Sequence, residues 1–140
     1  MRRRSRSTST GIAIAKSLGL APAWHLPRLP LRPDADELYD ALDLCLLTSG
    51  YEGLPVFLLN GLARGIPCVA TAVGEVPELL ADGGGILVER PGDLDALVAG
   101  VEALRDPERR QSEGVRGRAT VAARFSHERY VEAYAAALLG

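Results

Sequence analysis

The segment that decides the fold is residues 42–71, LDLCLLTSGYEGLPVFLLNGLARGIPCVAT. It opens with an apolar run of strand length that ends in two hydroxyl residues, and a turn containing Gly53 and Pro55 follows. A helical apolar run then extends to Gly65 and leads into a second apolar run. A strand, a helix and a strand in this order predict the βαβ crossover of a parallel sheet.

A candidate ligand site lies at the turn of this unit. In open α/β sheets ligands bind beyond the carboxyl ends of the strands, and a helix N-terminus there offers free N–H groups to an anion. The turn 52–55 occupies that position and carries one carboxylate, that of Glu52. We therefore expect the functional site to begin at Glu52 and at the backbone amides that follow it.

Composition indicates one globular domain of modest size. The chain has 140 residues, of which 47% are hydrophobic and 24% charged, with a net charge of −2. Four arginines lie within residues 1–10, so the rest of the chain is clearly acidic and a poor partner for nucleic acid. We expect residues 1–10 to form a disordered basic arm and residues 11–140 to form the domain.

Two cysteines, Cys45 and Cys68, fall inside predicted strands. Free cysteine is among the most buried residue types, so we expect both to be reduced core residues of a cytoplasmic protein. No His or Cys stands at ligand spacing from either, so we expect no metal. No segment approaches the roughly 20 apolar residues of a membrane span, and peripheral attachment to a membrane stays open.

The rest of the chain supplies further elements of an α/β fold. Trp24–Leu26 and residues 86–88 are predicted strands, which gives a parallel sheet of about four strands with flanking helices. Residues 11–18 and 37–41 are predicted helices before the central unit. Four more follow it: a short helix that ends at Leu80, and three with Asp93, Asp106 and Ser126 as their capping residues.

The interior of the penultimate helix is weakened by two glycines. Gly114 and Gly117 lie in its interior, where each costs about 1 kcal/mol relative to Ala. We expect the charged residues between Arg105 and Arg124 to form a solvated face. In the helix before it, apolar residues recur at helical spacing and predict a core stripe, namely Leu94, Leu97, Val98, Val101 and Leu104.

Six ordered motifs resemble the C-terminal domain of the family 4 (group 1) glycosyltransferases of the GT-B fold. The resemblance runs from about Gly11 to the C-terminus, and a set of six motifs is more specific than a lone Gly-rich loop. The motifs are Glu37-Leu38-Tyr39-x-Ala41-Leu42-Asp43, Leu47-x-Ser49-x-Tyr51-Glu52-Gly53-Leu54-Pro55, Gly65-Ile66-Pro67-x-Val69-Ala70-Thr71, Val73-Gly74-x-Val76-Pro77-Glu78, Gly85-x-Leu87-Val88 with Pro91-Gly92-Asp93, and Arg124-Phe125-Ser126.

The resemblance implies a retaining transferase that moves a sugar from a nucleotide-diphospho-sugar to a hydroxyl acceptor, without a metal or another cofactor. In the family's E-x(7)-E motif the first carboxylate reaches the donor sugar and the second binds the ribose. The first corresponds to Glu52, and the turn that holds the diphosphate corresponds to Gly53, Leu54 and Pro55. The second position is occupied by Asn60.

The chain departs from the family pattern at two places. Asn60 can form ribose hydrogen bonds but lacks the charge-assisted strength of a carboxylate, so we expect weaker donor affinity. Gly74-Glu75 replaces the usual Gly-Gly and puts a side chain beside the sugar or the acceptor. Ser49 and Thr48 could line the pocket, although hydroxyl residues at a strand end are as often merely capping.

The sequence lacks the acceptor-binding domain of such enzymes and the first two strands of the donor domain with their basic pair. It therefore resembles a donor domain truncated at its N-terminus, the C-terminal half of a GT-B fold in partial form. We expect little or no transferase activity from this chain alone. Its expected partners are a nucleotide-sugar and either a separate acceptor-binding domain or a second copy, associated through the exposed edge of the strand at 42–48.

Two other functions stay open. One is a non-catalytic module that binds a nucleotide-sugar or a partner, which the Asn60 substitution and the missing basic pair favour. The other is a related nucleotide-sugar epimerase, which would need an acid and a base that the poorly placed His25 and His127 do not supply.

Overall fold

Three parallel strands form the centre of the fold in the computed structural model, which describes residues 35–139. They are β1 (Cys45–Leu47), β2 (Cys68–Thr71) and β3 (Gly85–Val88), hydrogen-bonded in the order β1-β2-β3. The predicted α/β parallel sheet is therefore confirmed for these strands. The predicted strand Trp24–Leu26, the helix at 11–18 and the arm at 1–10 lie outside the described residues.

Helices connect and flank the strands. The segment Ala35–Ala41, predicted as a helix over 37–41, forms a 3₁₀ helix, a form that is common in such short pieces. Asp93 accepts a hydrogen bond from the Ala96 N–H at 3.0 Å, which confirms its predicted capping role. The α-helices are α1 (Val56–Ala63), α2 (Val76–Leu79), α3 (Leu94–Ala103), α4 (Pro107–Arg124) and α5 (His127–Leu139).

The core has two layers, one on each face of the sheet. Strand β2 is buried along its whole length, and its alternating side chains contribute to both layers. The first layer packs α1 and α2 against the sheet, with Leu58, Leu62, Val76 and Leu79 fully buried. The second layer packs α3 against the opposite face through Val69, Leu97 and Leu104, so the predicted core stripe of α3 is confirmed.

The two cysteines lie side by side in the core. Cys45 on β1 is in register with Cys68 on β2, and both are free and buried. Burial raises the pKa of Cys45 to about 11 and, with the nearby Cys45 and Glu113, raises the pKa of Cys68 to about 12. A Cβ added to Gly61 would lie 2.5 Å from the Cys45 Sγ, so this sulfur fills the space above the glycine.

The glycines inside α4 allow close packing against the rest of the domain. A Cβ at Gly114 would collide with the carbonyl oxygen of Gly65. A Cβ at Gly117 would lie 2.5 Å from the Leu62 Cδ2 and 3.0 Å from the Gly84 Cα. The two glycines lower the helix propensity of α4, as expected from the sequence, but the packing requires them. Only residues without a side chain let α4 come this close to the end of α1 and to the turn before β3.

The expectation of a fully solvated charged face on α4 is wrong at Glu113. Its side chain is 13% exposed, and its Oε2 accepts hydrogen bonds from the N–H groups of Gly84 at 2.9 Å and Gly85 at 3.2 Å. Arg116 donates to the other carboxylate oxygen at 3.0 Å. Desolvation raises the pKa of Glu113, but these hydrogen bonds outweigh it, so the net shift is downward.

Replacing Gly114 by Ala should destabilise the domain although Ala is the better helix former. The new Cβ would overlap the Gly65 carbonyl, and overpacking of this kind costs about 1–3 kcal/mol, more than the gain of about 1 kcal/mol in helix propensity. Ser112→Ala, at an exposed position of the same helix, is the matched control and should be neutral or slightly stabilising. Urea unfolding of both variants would measure the difference, and a stabilised Gly114→Ala variant would contradict the packing account.

Stability should depend on pH through Glu113. The pKa of Glu113 is lowered in the folded state, so its carboxylate adds to the free energy of unfolding above the ordinary glutamate pKa of about 4.3. This stabilisation is lost as the pH falls through the folded-state pKa. Glu113→Gln should cost about 1–2 kcal/mol in the free energy of unfolding at pH 7, and the gap to wild type should shrink below about pH 4. Glu132→Gln, on an exposed residue of α5, serves as the control in urea titrations at each pH. A difference in unfolding free energy between wild type and Glu113→Gln that stays constant with pH would contradict this role of the Glu113 carboxylate.

Candidate functional site

The carboxyl ends of the three strands meet at one edge of the sheet, since the strands are parallel. Each strand is followed there by a loop, at residues 48–55, 72–75 and 89–93. The first two loops contain every predicted site residue except Asn60. In this class of sheet, such an edge is where ligands bind.

The first two loops touch through their backbones. Gly74 has a φ of +53°, and a Cβ at this position would collide with the carbonyl oxygens of Glu52 and Gly53. The Glu75 N–H donates a hydrogen bond to the Gly53 carbonyl at 3.1 Å. The structure therefore brings together four of the residues predicted for the site, and Gly74 has to be a glycine both for its left-handed conformation and for the space it leaves.

A second link joins the first loop to strand β2. Thr71 is fully buried at the end of β2, and its Oγ1 donates a hydrogen bond to the Ser49 carbonyl at 2.7 Å. This bond satisfies a buried hydroxyl and anchors the start of the loop. Sequence reasoning missed Thr71, although a hydroxyl residue closing an otherwise apolar strand was a usable signal. The predicted lining role of the Ser49 hydroxyl stays a prediction.

Helix α1 begins at this edge without a side-chain cap. Pro55, buried at the N-cap, accepts from the N–H groups of Leu58 at 3.0 Å and Leu59 at 3.2 Å through its carbonyl. Within residues 35–139, no acceptor is found for the N–H groups of Val56 and Phe57. Unpaired N–H groups at a helix start favour an anion. As Pro55 itself has no N–H, the donors of the turn lie on its neighbours.

Asn60 lies further along α1, in its second turn, and is half-buried. Its backbone carbonyl accepts a hydrogen bond from the Arg64 Nη1 at 3.2 Å. That contact ties Asn60 to the end of the helix and gives no link to the loop that contains Glu52. The predicted ribose-binding role of Asn60 stays a prediction.

Apart from the backbone amides, the charged groups at this edge of the sheet disfavour a bound anion. The three described loops carry four carboxylates, those of Glu52, Glu75, Glu89 and Asp93, and one basic residue, Arg90. Arg90 is itself bound to Asp93, with its Nη2 3.0 Å from the Oδ2. The backbone hydrogen bond from Ala96 and the bond to Arg90 lower the pKa of Asp93, so this acid stays ionised and keeps Arg90 engaged.

Residues 35–139 contain no group of three or more His, Cys, Asp or Glu side chains placed to hold a metal ion. None of the helices in this range combines the length and the apolar character needed to cross a bilayer.

Comparison with known families gives a direct match. The model of the family described as "Glycosyl transferases group 1" matches residues 12–120. The chain belongs to the group 1 glycosyltransferases. The resemblance drawn from the six motifs is thereby confirmed.

Curated group 1 relatives are much longer than this chain. The N-acetyl-alpha-D-glucosaminyl L-malate synthase of Bacillus anthracis is 34% identical over 99 residues, which cover 70% of this chain and 26% of that protein. The D-inositol 3-phosphate glycosyltransferase of Geodermatophilus obscurus is 33% identical over 138 residues, covering 96% of this chain and 28% of that protein. The chain thus spans about a quarter of the length of these relatives.

A solved structure shares the fold of this group 1 glycosyltransferase domain. It is the C-terminal domain of the glycosyl transferase group 1 family protein LpcC from Francisella tularensis, with a TM-score of 0.65 and 23% identity. The match covers 90% of this chain and 66% of that one. The predicted architecture, the C-terminal domain of a GT-B fold, is confirmed by this likeness.

In this group 1 glycosyltransferase domain, Gly74→Ala should break the contact between the two loops. Gly92 has a similar positive φ of +87° but no atom within 4 Å of an added Cβ, so Gly92→Ala is a matched control for backbone strain. We expect Gly92→Ala to cost about 1–2 kcal/mol in the free energy of unfolding and Gly74→Ala about 1–3 kcal/mol more. Denaturant unfolding of the two variants measures the gap. Equal losses would show that the approach of the loops is not tightly packed.

Proposed function

We propose that this chain is the incomplete donor-binding domain of a retaining glycosyltransferase that uses a nucleotide-diphospho-sugar and a hydroxyl acceptor. The observation that carries the proposal is the joined pair of loops, which holds Glu52 beside the uncapped start of α1. Membership of the group 1 family supports it. The relatives from Bacillus anthracis and Geodermatophilus obscurus, one a glucosaminyl malate synthase and one a glycosyltransferase, also support it.

The N–H groups of Val56 and Phe57 would bind the diphosphate. A helix N-terminus carries roughly half a positive charge, and oriented donors aimed at developing charge are usually the largest catalytic contribution. They cost no reorganisation, because Thr71 and Gly74 hold the preceding loop in place. As the sugar departs, these amides would stabilise the negative charge that grows on the diphosphate.

Glu52 would bind the donor sugar, and Asn60 the ribose. A carboxylate next to a sugar accepts hydrogen bonds from its hydroxyl groups, and such charge-assisted bonds are about twice as strong as neutral ones. The Asn60 amide can accept one ribose hydrogen bond and donate another, with less strength. The turn residues Gly53 and Leu54 connect Glu52 to the start of α1, and Asn60 lies in the second turn of that helix.

The charges at this edge of the sheet support the proposal that the donor site is incomplete. A diphosphate needs positive potential, whereas the described loops add carboxylates and leave Arg90 paired with Asp93. We therefore infer weak nucleotide affinity and little or no turnover by the chain alone. Further cations would have to come from outside these loops, for example from a partner, which would be either a separate acceptor-binding domain or a second copy. In the described residues β1 pairs with β2 alone, so its other edge is a candidate surface for that association.

A second candidate function is a non-catalytic module that binds nucleotide-sugars. The amide at position 60 and the lack of an unpaired basic residue in the described loops favour it. The amide weakens donor binding, and without such a basic residue the charge that grows on a departing diphosphate is less stabilised. Binding that is never followed by transfer, even when an acceptor-binding domain of a relative is added, would select this alternative.

Glu52→Gln should separate sugar recognition from phosphate recognition. Because the proposed phosphate ligands are amides, binding of UDP or GDP should stay within about twofold of wild type, whereas the matching nucleotide-sugars should bind roughly ten- to a hundredfold more weakly. Titration followed by NMR amide shifts of residues 50–57 measures both. Glu108→Gln, a change at an exposed carboxylate of α4, is the matched control.

Three outcomes would contradict the proposal. If no nucleoside diphosphate shifts the amides of Val56 and Phe57 at millimolar concentration, the chain is not a donor domain. If Glu52→Gln lowers the affinity for UDP as much as for the nucleotide-sugar, the carboxylate does not face the sugar. Transfer by the purified 140-residue chain from any nucleotide-sugar would overturn the claim of incompleteness.

A further inference from the structure

Arg124, the last residue of α4, binds the one-turn helix α2. Its Nη1 donates to the Glu78 carbonyl oxygen at 3.1 Å, and its Nη2 donates to the Glu78 carboxylate. The Asp82 Oδ2 lies 3.9 Å from the same guanidinium. The arginine side chain is 34% exposed and lies over the ring of the adjacent Phe125, which packs against the core. One cation therefore holds both the backbone and the side chain of Glu78.

The contact reaches the proposed donor site within a few residues. Helix α2 starts directly after Glu75, whose carbonyl accepts from the Leu79 N–H at 2.9 Å. The Glu75 N–H in turn donates to the Gly53 carbonyl at 3.1 Å, next to Glu52. A single helical turn thus connects Arg124 at one end to the loop contact at the other.

We propose that Arg124 is a positioning residue for the donor site, acting through Glu78 and α2 on the hydrogen bond between Glu75 and Gly53. This inference rests on the proposed function for its biological meaning. An isolated helix of four residues is not stable by itself, so its orientation depends on what holds it. The guanidinium fixes it at two points, because a fork of parallel N–H groups defines direction as well as distance.

The competing explanation is that the core alone orients α2. Val76 and Leu79 are fully buried and anchor one side of the helix. These two side chains, with Val73 and Leu80 buried at either end of the helix, hold its inner face. Glu78 itself is exposed, and its carbonyl accepts from Arg124, so the guanidinium acts on a residue that the core does not hold.

The test measures hydrogen exchange of the Glu75 amide by NMR, which needs no ligand. Arg124→Gln should speed its exchange roughly fivefold relative to wild type, while the amides of β2 change by less than twofold. Glu78→Gln should have a smaller effect, because its backbone carbonyl still accepts from Arg124. Arg124→Lys should restore part of the protection. Arg105→Gln, which removes the i,i+3 pair with Glu102 away from the site, is the control and should leave Glu75 unchanged.

A second measurement uses UDP as the probe. It distinguishes a failure of the positioning role of Arg124 from a failure of the proposed donor-binding function. Weaker UDP binding in Arg124→Gln, with selective loosening of Glu75, supports both. Selective loosening without UDP binding to the wild type would remove the donor-site role and leave the link from Arg124 to the loop. Unchanged exchange at Glu75, or an equal acceleration in β2 or in Arg105→Gln, would overturn the positioning role.

Discussion

The approach of the Gly74 backbone to the carbonyl oxygens of Glu52 and Gly53 is the contact on which the proposed site depends. It joins the loops that follow two neighbouring strands and leaves room for nothing larger than hydrogen at residue 74. A parallel sheet alone would bring the loops to one edge, but it would not fix their separation. The same means of close packing recurs at Gly114 and Gly117, where α4 lies directly on backbone and on Leu62. Absent side chains thus determine how closely these parts can pack.

The edge combines a well-built scaffold with an incomplete charge balance. The buried hydroxyl of Thr71 and the loop contact hold the loop before α1, so under the proposed function binding need not order the amides at the start of the helix. Yet the carboxylates of the described loops outnumber the basic side chains, and Arg90 is already paired. This chain spans about a quarter of its relatives' length. Under the proposed function, its described loops would carry part of a donor site but lack the positive charge that a diphosphate needs.

Much of the fold and part of the site follow from local sequence. The β1-α1-β2 unit and the Asp93 cap are set by hydrophobic period and by capping chemistry, both of which act within a few residues. The position of Glu52 follows from the topology of parallel sheets. The sequence could not reveal the partners of Glu113, because Gly84 and Gly85 lie almost thirty residues away. The same holds for Arg124 and Glu78, which are 46 residues apart. Contacts of this kind need the fold first.

The packing of Cys45 against Gly61 means that two positions share one volume. The sulfur occupies the space that any side chain at residue 61 would need, and strand β1 and helix α1 cannot separate without opening the core. The side chain at each of these positions therefore limits which substitutions the other position can accept. If residue 61 on the helix becomes alanine, residue 45 on the strand has to become smaller. Substitutions at residues 45 and 61 should therefore occur together.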